Sequence, residues 1–232
     1  AAVLAINHTG YLDFTYAGFA AVRRKRKVRF MAKESVFRHK VSGPLMRGMR
    51  HIPVDRAAGG AAYRRAVAAL RSGEIVGVYP EATISRSFEL KEFKVGAARM
   101  AKEAGVPIIP CVIWGAQRVW TKDPPRRMGR TNTPIYIDLG APIAVGPDDD
   151  PIEVTARLKD TMAAMLEGLW KVYPPMPPED AIFVPKRLGG AAPTLEEADE
   201  LYREELARKA AKRAAKAAER EAGNDGGATP AG

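Results

Sequence analysis

Short runs of apolar and β-branched residues recur along the chain, separated by longer segments with the hydrophobic spacing of helices. The apolar runs predict strands at residues 3–6, 28–31, 51–54, 75–79, 108–113 and 135–139. The helical patterns lie at residues 14–24, 60–71, 93–104 and 151–170. Because strands that alternate with helices build parallel sheets covered by helices, we predict an α/β fold with a largely parallel central sheet.

The composition changes after residue 193, which we take as the end of the folded domain, residues 1–193. Thr194 and Glu197 have the spacing of a capping box, and they open a charged, alanine-rich helix predicted over residues 194–222. Beyond Leu206 alanine is the only apolar residue of this helix, so a solvated helix is favoured over one that binds a membrane or a partner. Residues 223–232 have the composition of a disordered tail.

The formal net charge is +10, and it resides in the domain. Residues 194–232 carry seven basic and nine acidic side chains, so residues 1–193 hold a net charge of +12. This charge attracts polyanions such as nucleic acid, anionic lipid surfaces or phosphorylated small molecules. The aromatic content of 7% and the lack of interleaved basic and aromatic residues argue against nucleic acid. No apolar run reaches the length of about 18 residues that a spanning helix requires, so no transmembrane helix is predicted.

Polar residues follow directly after the first predicted strand, at residues 7–13. This position lies at the carboxyl edge of a parallel sheet, where such folds build their sites. On a continuous helix His8 and Asp13 would point about 140° apart, so they meet only if the chain turns between them, which Gly10 makes easy. Asp13 would then fix the imidazole tautomer and leave the other nitrogen free to accept a proton. Alternatively, Asp13 caps the helix that follows it.

Two further strand ends carry candidate binding residues. After the strand at residues 75–79, Glu81 and Thr83 can order the loop or bind a hydroxyl, and Arg86 and Lys94 can hold a phosphate. The strand near residue 52 ends at Asp55 and Arg56. A metal site is not predicted, because His8 and Asp13 alone are too few ligands. Cys111 lies within an apolar run and is interpreted as core rather than as a nucleophile.

Four blocks, taken in order, resemble the glycerolipid acyltransferase family, which includes the lysophosphatidate (1-acylglycerol-3-phosphate) acyltransferases. They are Asn-His-x4-Asp at residues 7–13, Ile-Pro-Val-Asp-Arg at 52–56, Pro-Glu-x-Thr at 80–83 and Val-Pro-Ile-Ile-Pro at 106–110. Their order and spacing are more specific than any single block. In closer detail the sequence looks like the actinobacterial branch of that family.

The resemblance implies that residues 1–193 form an acyltransferase catalytic domain acting in phospholipid biosynthesis. Such a domain moves a fatty acyl group from a co-substrate, acyl-CoA or acyl carrier protein, to a hydroxyl of lysophosphatidate, and it uses no cofactor. His8 would be the general base and Asp13 its partner. Arg56 would grip the acceptor phosphate, Glu81 would lie in the acceptor site, and Lys33 would contribute to the same pocket.

One position departs from the family pattern. Where the family has Gly-Thr-Arg after the glutamate, this chain has Ala82, Thr83 and Ile84. Either Arg86 or Lys94 takes the place of the missing arginine, or the acceptor headgroup differs.

Several alternatives stay open at this point. The acceptor could be glycerol 3-phosphate or another lipid headgroup, or the domain could be a non-catalytic basic module that binds membranes. A hydrolase is disfavoured because no Gly-x-Ser-x-Gly elbow surrounds Ser85 or Ser87.

The basic run at residues 23–27 could meet anionic lipids or the phosphates of coenzyme A, and apolar residues within 37–49 could line an acyl path or the core. We expect peripheral attachment to an anionic membrane surface, at the cytoplasmic face of the cell membrane.

Overall fold

The central sheet has six strands in the part of the chain that the computed structural model describes, residues 1–55 and 59–225. The strands are β1 Ala2–Ile6, β2 Val28–Lys33, β3 Ile52–Val54, β4 Ile75–Val78, β5 Ile108–Trp114 and β6 Tyr136–Leu139. Their order in space is β3-β2-β4-β1-β5-β6. All neighbouring strands are parallel except β6, which pairs antiparallel with β5. The predicted α/β fold with a largely parallel sheet is confirmed.

Helices cover both faces of this sheet. Their bounds are α1 Asp13–Val22, α2 Glu34–Arg38, α3 Ser42–Gly48, α4 Gly59–Arg71, α5 Gly96–Ala104, α6 Pro151–Val172 and α7 Leu195–Asp225. The sequence pattern predicted all of these except α2 and α3, which are too short to show a clear helical period. Both lie in the connection from β2 to β3.

The core is divided by the sheet into two layers. Side chains of the central strand β1 alternate between them: Val3 and Ala5 pack with α4, α5 and α6, whereas Leu4 and Ile6 pack on the face that α1 covers. A parallel strand buried on both faces needs apolar residues at every position, which explains the unbroken apolar run at the start of the chain. Cys111 of β5 is fully buried in the second layer, as expected.

The C-terminal helix α7 begins with the predicted capping box. The Thr194 N–H donates to a Glu197 carboxylate oxygen at 2.8 Å, and the Glu197 N–H donates to Thr194 Oγ1 at 3.2 Å. The helix continues through residue 225, so residues 223–225 are helical rather than part of the predicted tail. The first turns of α7, before the part expected to be solvated, pack on the domain, because Ala198 is buried and Glu205 bonds to side chains of the domain. Residues 226–232 lie outside the described residues.

Among the helices of residues 1–55 and 59–225, none combines the length and the hydrophobicity needed to cross a bilayer.

Candidate active site

The carboxyl ends of β1, β4 and β5 meet at one edge of the sheet, where the loops that follow them are joined by hydrogen bonds. Asn7 fixes the first loop to β5, because its side-chain amide donates to the Ile113 carbonyl at 3.0 Å and accepts from the Ile113 N–H at 2.7 Å. The Ser85 N–H donates to the His8 carbonyl at 2.8 Å, and Thr121 Oγ1 donates to the Thr9 carbonyl at 2.6 Å. The segment around His8 is therefore held from both sides.

His8 and Asp13 are brought together by a tight turn. Asp13 Oδ2 lies 3.1 Å from His8 Nδ1 and accepts the N–H groups of Thr9 and Gly10, both at 2.8 Å. The Asp13 side chain is fully buried. The helix-cap interpretation is wrong, because α1 begins at Asp13 itself and the carboxylate accepts N–H groups of the turn before the helix.

Gly10 is needed in this turn for space. A Cβ at Gly10 would lie 2.9 Å from the Trp120 carbonyl oxygen and 3.2 Å from Asp13 Oδ1. The Tyr11 N–H donates to the same Trp120 carbonyl at 2.9 Å, and the Tyr11 and Trp120 rings lie 4.9 Å apart. The turn thus packs directly against the loop that follows β5.

Two contacts orient the His8 ring, one at its face and one at Nδ1. It stacks on Tyr79 with 4.0 Å between ring centroids and 20° between planes. Because Nδ1 faces the Asp13 carboxylate, we assign the proton to Nδ1, which leaves Nε2 as the basic nitrogen. No hydrogen bond from the described residues reaches Nε2, and 18% of the side chain is exposed. The arrangement can accept a proton from a bound hydroxyl.

Glu81 positions the backbone of this segment. Its Oε1 accepts the His8 N–H at 2.7 Å and its Oε2 accepts the Lys91 N–H at 3.1 Å, while only 4% of the residue is exposed. Burial raises the pKa of Glu81 to about 8. The two hydrogen bonds favour the carboxylate and lower the pKa, but burial has the larger effect. At pH 7 the group is therefore mostly neutral and adds little negative charge beside His8. Its contact with the acceptor stays a prediction.

The loop after β4 has strained backbone at two positions. Ala82, at the position where the resembling family has glycine, adopts φ +60°, and Phe88 adopts φ +58°. Non-glycine residues in this region cost about 1–3 kcal/mol each and persist where the surroundings fix them.

Ile84, at the usual arginine position, is 5% exposed, so it serves the core. Thr83 Oγ1 accepts a hydrogen bond from Lys91 Nζ at 3.1 Å, which ties the two ends of the loop.

The two loop serines are buried and bonded. Ser85 Oγ lies 3.0 Å from Ser87 Oγ and donates to the Glu89 carbonyl at 2.7 Å. Both residues are fully buried, which counts against either as an exposed nucleophile.

The predicted cations differ in burial: Arg86 is buried, whereas Lys33 and Lys94 are exposed. Arg86 lies in the loop whose Ser85 N–H bonds to His8, and its side chain, 8% exposed, forms ion pairs with Asp123 and Glu205. Lys33, at the end of β2, and Lys94, after β4, are exposed at the same sheet edge. Neither hydrogen-bonds to His8, Asp13 or Glu81 among the described residues. Arg56 lies outside the described residues.

Sequence reasoning missed Tyr79 and Lys122. The aromatic ring of Tyr79 directly precedes the Pro80-Glu81 block, and this adjacency is the signal that could have found it. Lys122, in the loop after β5, belongs to none of the four blocks, so only the fold brings it to Arg86. Within the described residues no group of three or more His, Cys, Asp or Glu side chains could hold a metal ion.

The chain is similar in sequence to known acyltransferases. The acyltransferase family model matches residues 1–114. A 1-acyl-sn-glycerol-3-phosphate acyltransferase of Bacillus subtilis is 30% identical over 114 residues, which are 49% of this chain and 55% of the relative. The chloroplastic 1-acyl-sn-glycerol-3-phosphate acyltransferase BAT2 of Brassica napus is 27% identical over 116 residues, 49% of this chain and 33% of the relative. The chain thus aligns with about half, or less, of the length of these relatives.

The fold has a solved counterpart. The crystal structure of the 1-acyl-sn-glycerophosphate acyltransferase PlsC from Thermotoga maritima matches with a TM-score of 0.60 and 22% identity, covering 75% of this chain and 68% of that one. The narrower likeness to the actinobacterial branch stays a prediction. Residues 1–114 are thus similar in sequence to the acyltransferase family, and the chain shares its fold with one solved acyltransferase.

Proposed function

We propose that this chain transfers a fatty acyl group from an acyl thioester to a hydroxyl of lysophosphatidate in phospholipid biosynthesis. The observation that carries the proposal is the His8–Asp13 contact of 3.1 Å, which leaves Nε2 open at the carboxyl edge of the sheet. This contact lies within the residues that match the acyltransferase family model. The names of the Bacillus subtilis and Brassica napus relatives support lysophosphatidate as the acceptor.

The proposed reaction is a direct transfer with His8 as general base. The acceptor hydroxyl gives its proton to Nε2 while its oxygen attacks the thioester carbonyl carbon. The C–S bond then breaks, an oxygen ester forms, and the thiolate takes the proton back from the imidazolium. Asp13, buried against Nδ1, stabilises the imidazolium in between. A base positioned in this way contributes on the order of 10²- to 10⁴-fold to the rate.

Glu81 and Tyr79 act through His8 in this scheme. Glu81 holds the His8 backbone N–H, and Tyr79 supports one face of the ring. Thr83, Arg86, Lys33, Lys94 and Arg56 are assigned to acceptor binding by sequence position. Arg86 has the strongest case, because its side chain is buried within the loop that bonds to His8.

The test is thiol release from palmitoyl-CoA in the presence of lysophosphatidate, glycerol 3-phosphate or no acceptor. The proposal predicts release that requires lysophosphatidate, with phosphatidate as the lipid product. Release that requires glycerol 3-phosphate instead would change the acceptor, and release without any acceptor would identify a thioesterase. Repeating the assay with palmitoyl acyl carrier protein determines which thioester is the donor.

We also propose that the protein binds an anionic membrane surface through α3 and its flanks. Val41, Leu45 and Met49 follow one another at a spacing of four residues and are 78%, 60% and 39% exposed. Arg47 and Arg50 are exposed in the same stretch of the chain as this stripe, and the basic run at residues 23–27 is exposed elsewhere on the domain. Exposed apolar side chains beside cations fit an interface of acyl chains and anionic headgroups, at about 1 kcal/mol for each cation near the surface. Phe37 and Met46, from the same segment, are buried in the domain.

Flotation with vesicles of phosphatidylglycerol and phosphatidylcholine tests this surface. Leu45→Ser should reduce the bound fraction, whereas Ile152→Ser on α6 should not, although Ile152 is 67% exposed. Equal flotation of the two variants would exclude α3 as the contact. Binding that persists on pure phosphatidylcholine would exclude the electrostatic part.

A further inference from the structure

Two largely buried cations stand side by side next to the candidate active site. Arg86 is 8% exposed and Lys122 is 13% exposed. A single carboxylate oxygen, Glu205 Oε2 on α7, accepts from Arg86 Nη2 at 3.0 Å and from Lys122 Nζ at 2.9 Å. Cations buried to this extent require an anion between them, and here a third part of the chain supplies it.

The loops that carry these cations are the ones that hold His8. The residue before Arg86 donates to the His8 carbonyl, and the residue before Lys122 donates to the Thr9 carbonyl. In lysophosphatidate the free hydroxyl is on the carbon next to the one that bears the phosphate. A pocket that presents the hydroxyl to His8 must therefore offer cations near it, and Arg86 and Lys122 lie in the two loops that bond to the His8 segment.

Three residues in the first turns of α7 contact cations of the domain. Asp199, Tyr202 and Glu205 follow one another at a spacing of three residues, which places them on one side of the helix. Asp199 lies 3.6 Å from Lys91 Nζ, and the Tyr202 ring lies below the ammonium groups of Lys91 and Lys122, at 4.7 and 5.4 Å from its centroid. The first turns of α7 thus cover the cationic cluster with acidic and aromatic groups.

Lys122 and Glu205 are partly buried and oppositely charged. Burial lowers the pKa of Lys122, and the hydrogen bond that Lys122 donates to Glu205 opposes that shift without cancelling it. Although burial acts against it, hydrogen bonds from Lys209 and Lys122 lower the pKa of Glu205 to about 2, so Glu205 is an anion at neutral pH. Asp123 also pairs with Arg86, but its side chain is 61% exposed and can remain there when another anion binds. A phosphate dianion would bring more negative charge to this position than one carboxylate does.

We propose that Arg86 and Lys122 form the binding site for the phosphate monoester of the acceptor, and that Glu205 occupies this site until the phosphate displaces it. The inference deepens the proposed function and takes the identity of the ligand from it. Displacement moves the first turns of α7 away from the cluster and opens the path to His8. Lys122 becomes a specificity residue that stands in, together with Arg86, for the arginine replaced by Ile84.

Calorimetric titration with inorganic phosphate and with glycerol 3-phosphate tests the site without acyl transfer. Glu205→Gln should bind both ligands about tenfold more tightly than the unaltered protein, because a charged competitor is removed. Lys122→Gln should bind them about tenfold more weakly. The matched controls are Glu204→Gln and Lys212→Gln, whose side chains are exposed on α7, and neither should change affinity. Unchanged affinity in a folded Glu205→Gln protein would make the contact a purely structural one and overturn the proposal.

Hydrogen–deuterium exchange of the unaltered protein gives a second readout that needs no variant. Saturating glycerol 3-phosphate should speed exchange in residues 198–206 if it displaces Glu205. Slower exchange there would show that α7 is part of the bound site rather than a competitor, and would overturn the displacement. Phosphate binding with these properties but without acyl transfer would leave the phosphate site and its displacement of Glu205 intact and refute only the proposed function, so the two failures are distinguishable.

Discussion

The buried carboxyl of Glu81 allows a sharp prediction, which rests on its two backbone hydrogen bonds. Glu81→Gln preserves the shape of the side chain but turns an –NH2 group toward the N–H of either His8 or Lys91. Those N–H groups are bound at 2.7 and 3.1 Å in the unaltered protein. A buried donor left facing a donor costs about 1–3 kcal/mol, so the variant should be less stable by that amount at pH 5. Displacement of the His8 backbone should also lower the acyl-transfer rate.

The pH dependence separates this explanation from ordinary loss of packing. Burial raises the pKa of Glu81 from 4.5 to about 8. As pH rises, the unfolded chain loses this proton first, so the stability linked to Glu81 is complete below pH 4.5 and is lost as pH passes through 8. Between pH 5 and pH 8 the linked change is about 3 kcal/mol. Because glutamine does not titrate, the stability advantage of the unaltered protein over Glu81→Gln should shrink by that amount.

Urea denaturation at pH 5, 6.5 and 8 measures both effects, with Glu153→Gln as the control for an exposed glutamate on α6. The difference in unfolding free energy between the unaltered protein and Glu81→Gln should decrease steadily with pH, whereas the difference for Glu153→Gln should stay near zero. A difference that is constant across the three pH values would refute the raised pKa. No loss of stability at pH 5 would refute the assigned hydrogen bonds.

Two other changes probe the turn that holds His8. Asp13→Asn should lower kcat by about 10²- to 10⁴-fold, because the amide no longer stabilises the imidazolium. The control Asp160→Asn, on the exposed side of α6, should leave kcat unchanged. Equal rates for the two variants would count against a role for Asp13. Gly10→Ala places a Cβ 2.9 Å from the Trp120 carbonyl oxygen and should lower the free energy of unfolding by about 1–3 kcal/mol, measured by thermal denaturation. Gly96→Ala, in a helix with nothing within 4 Å of the new Cβ, should instead be neutral or stabilising, and a comparable loss in both variants would contradict the steric argument.

The strands and the longer helices could be predicted because each has a pattern that is complete within a few residues. Buried strands such as β1 show an unbroken apolar run, and α4 shows the spacing of an amphipathic helix. The short helices α2 and α3 have no such pattern, and α3 contains Gly43 and Pro44, which usually mark loops. Their formation depends on contacts with the rest of the fold.

In the site, as in the fold, the local contacts could be predicted from the sequence and the long-range ones could not. His8 and Asp13 lie within one short segment, and the turn at Gly10 lets their contact be inferred from sequence. The ion pair between Arg86 and Glu205 joins residues 119 positions apart, and no local pattern indicates it. Glu205 and Lys209 form an ion pair at a spacing of four residues along α7, which is a local pattern, but nothing local indicates that the same carboxylate also binds Arg86 and Lys122.

The most direct test of the central claim is acceptor-dependent thiol release from palmitoyl-CoA by the unaltered protein and by His8→Ala, with folding of the variant checked by circular dichroism. If His8 is the general base, release with lysophosphatidate should fall by about 10²-fold or more in the folded variant. Release by His8→Ala at the rate of the unaltered protein would show that another group accepts the proton and would contradict the proposed mechanism.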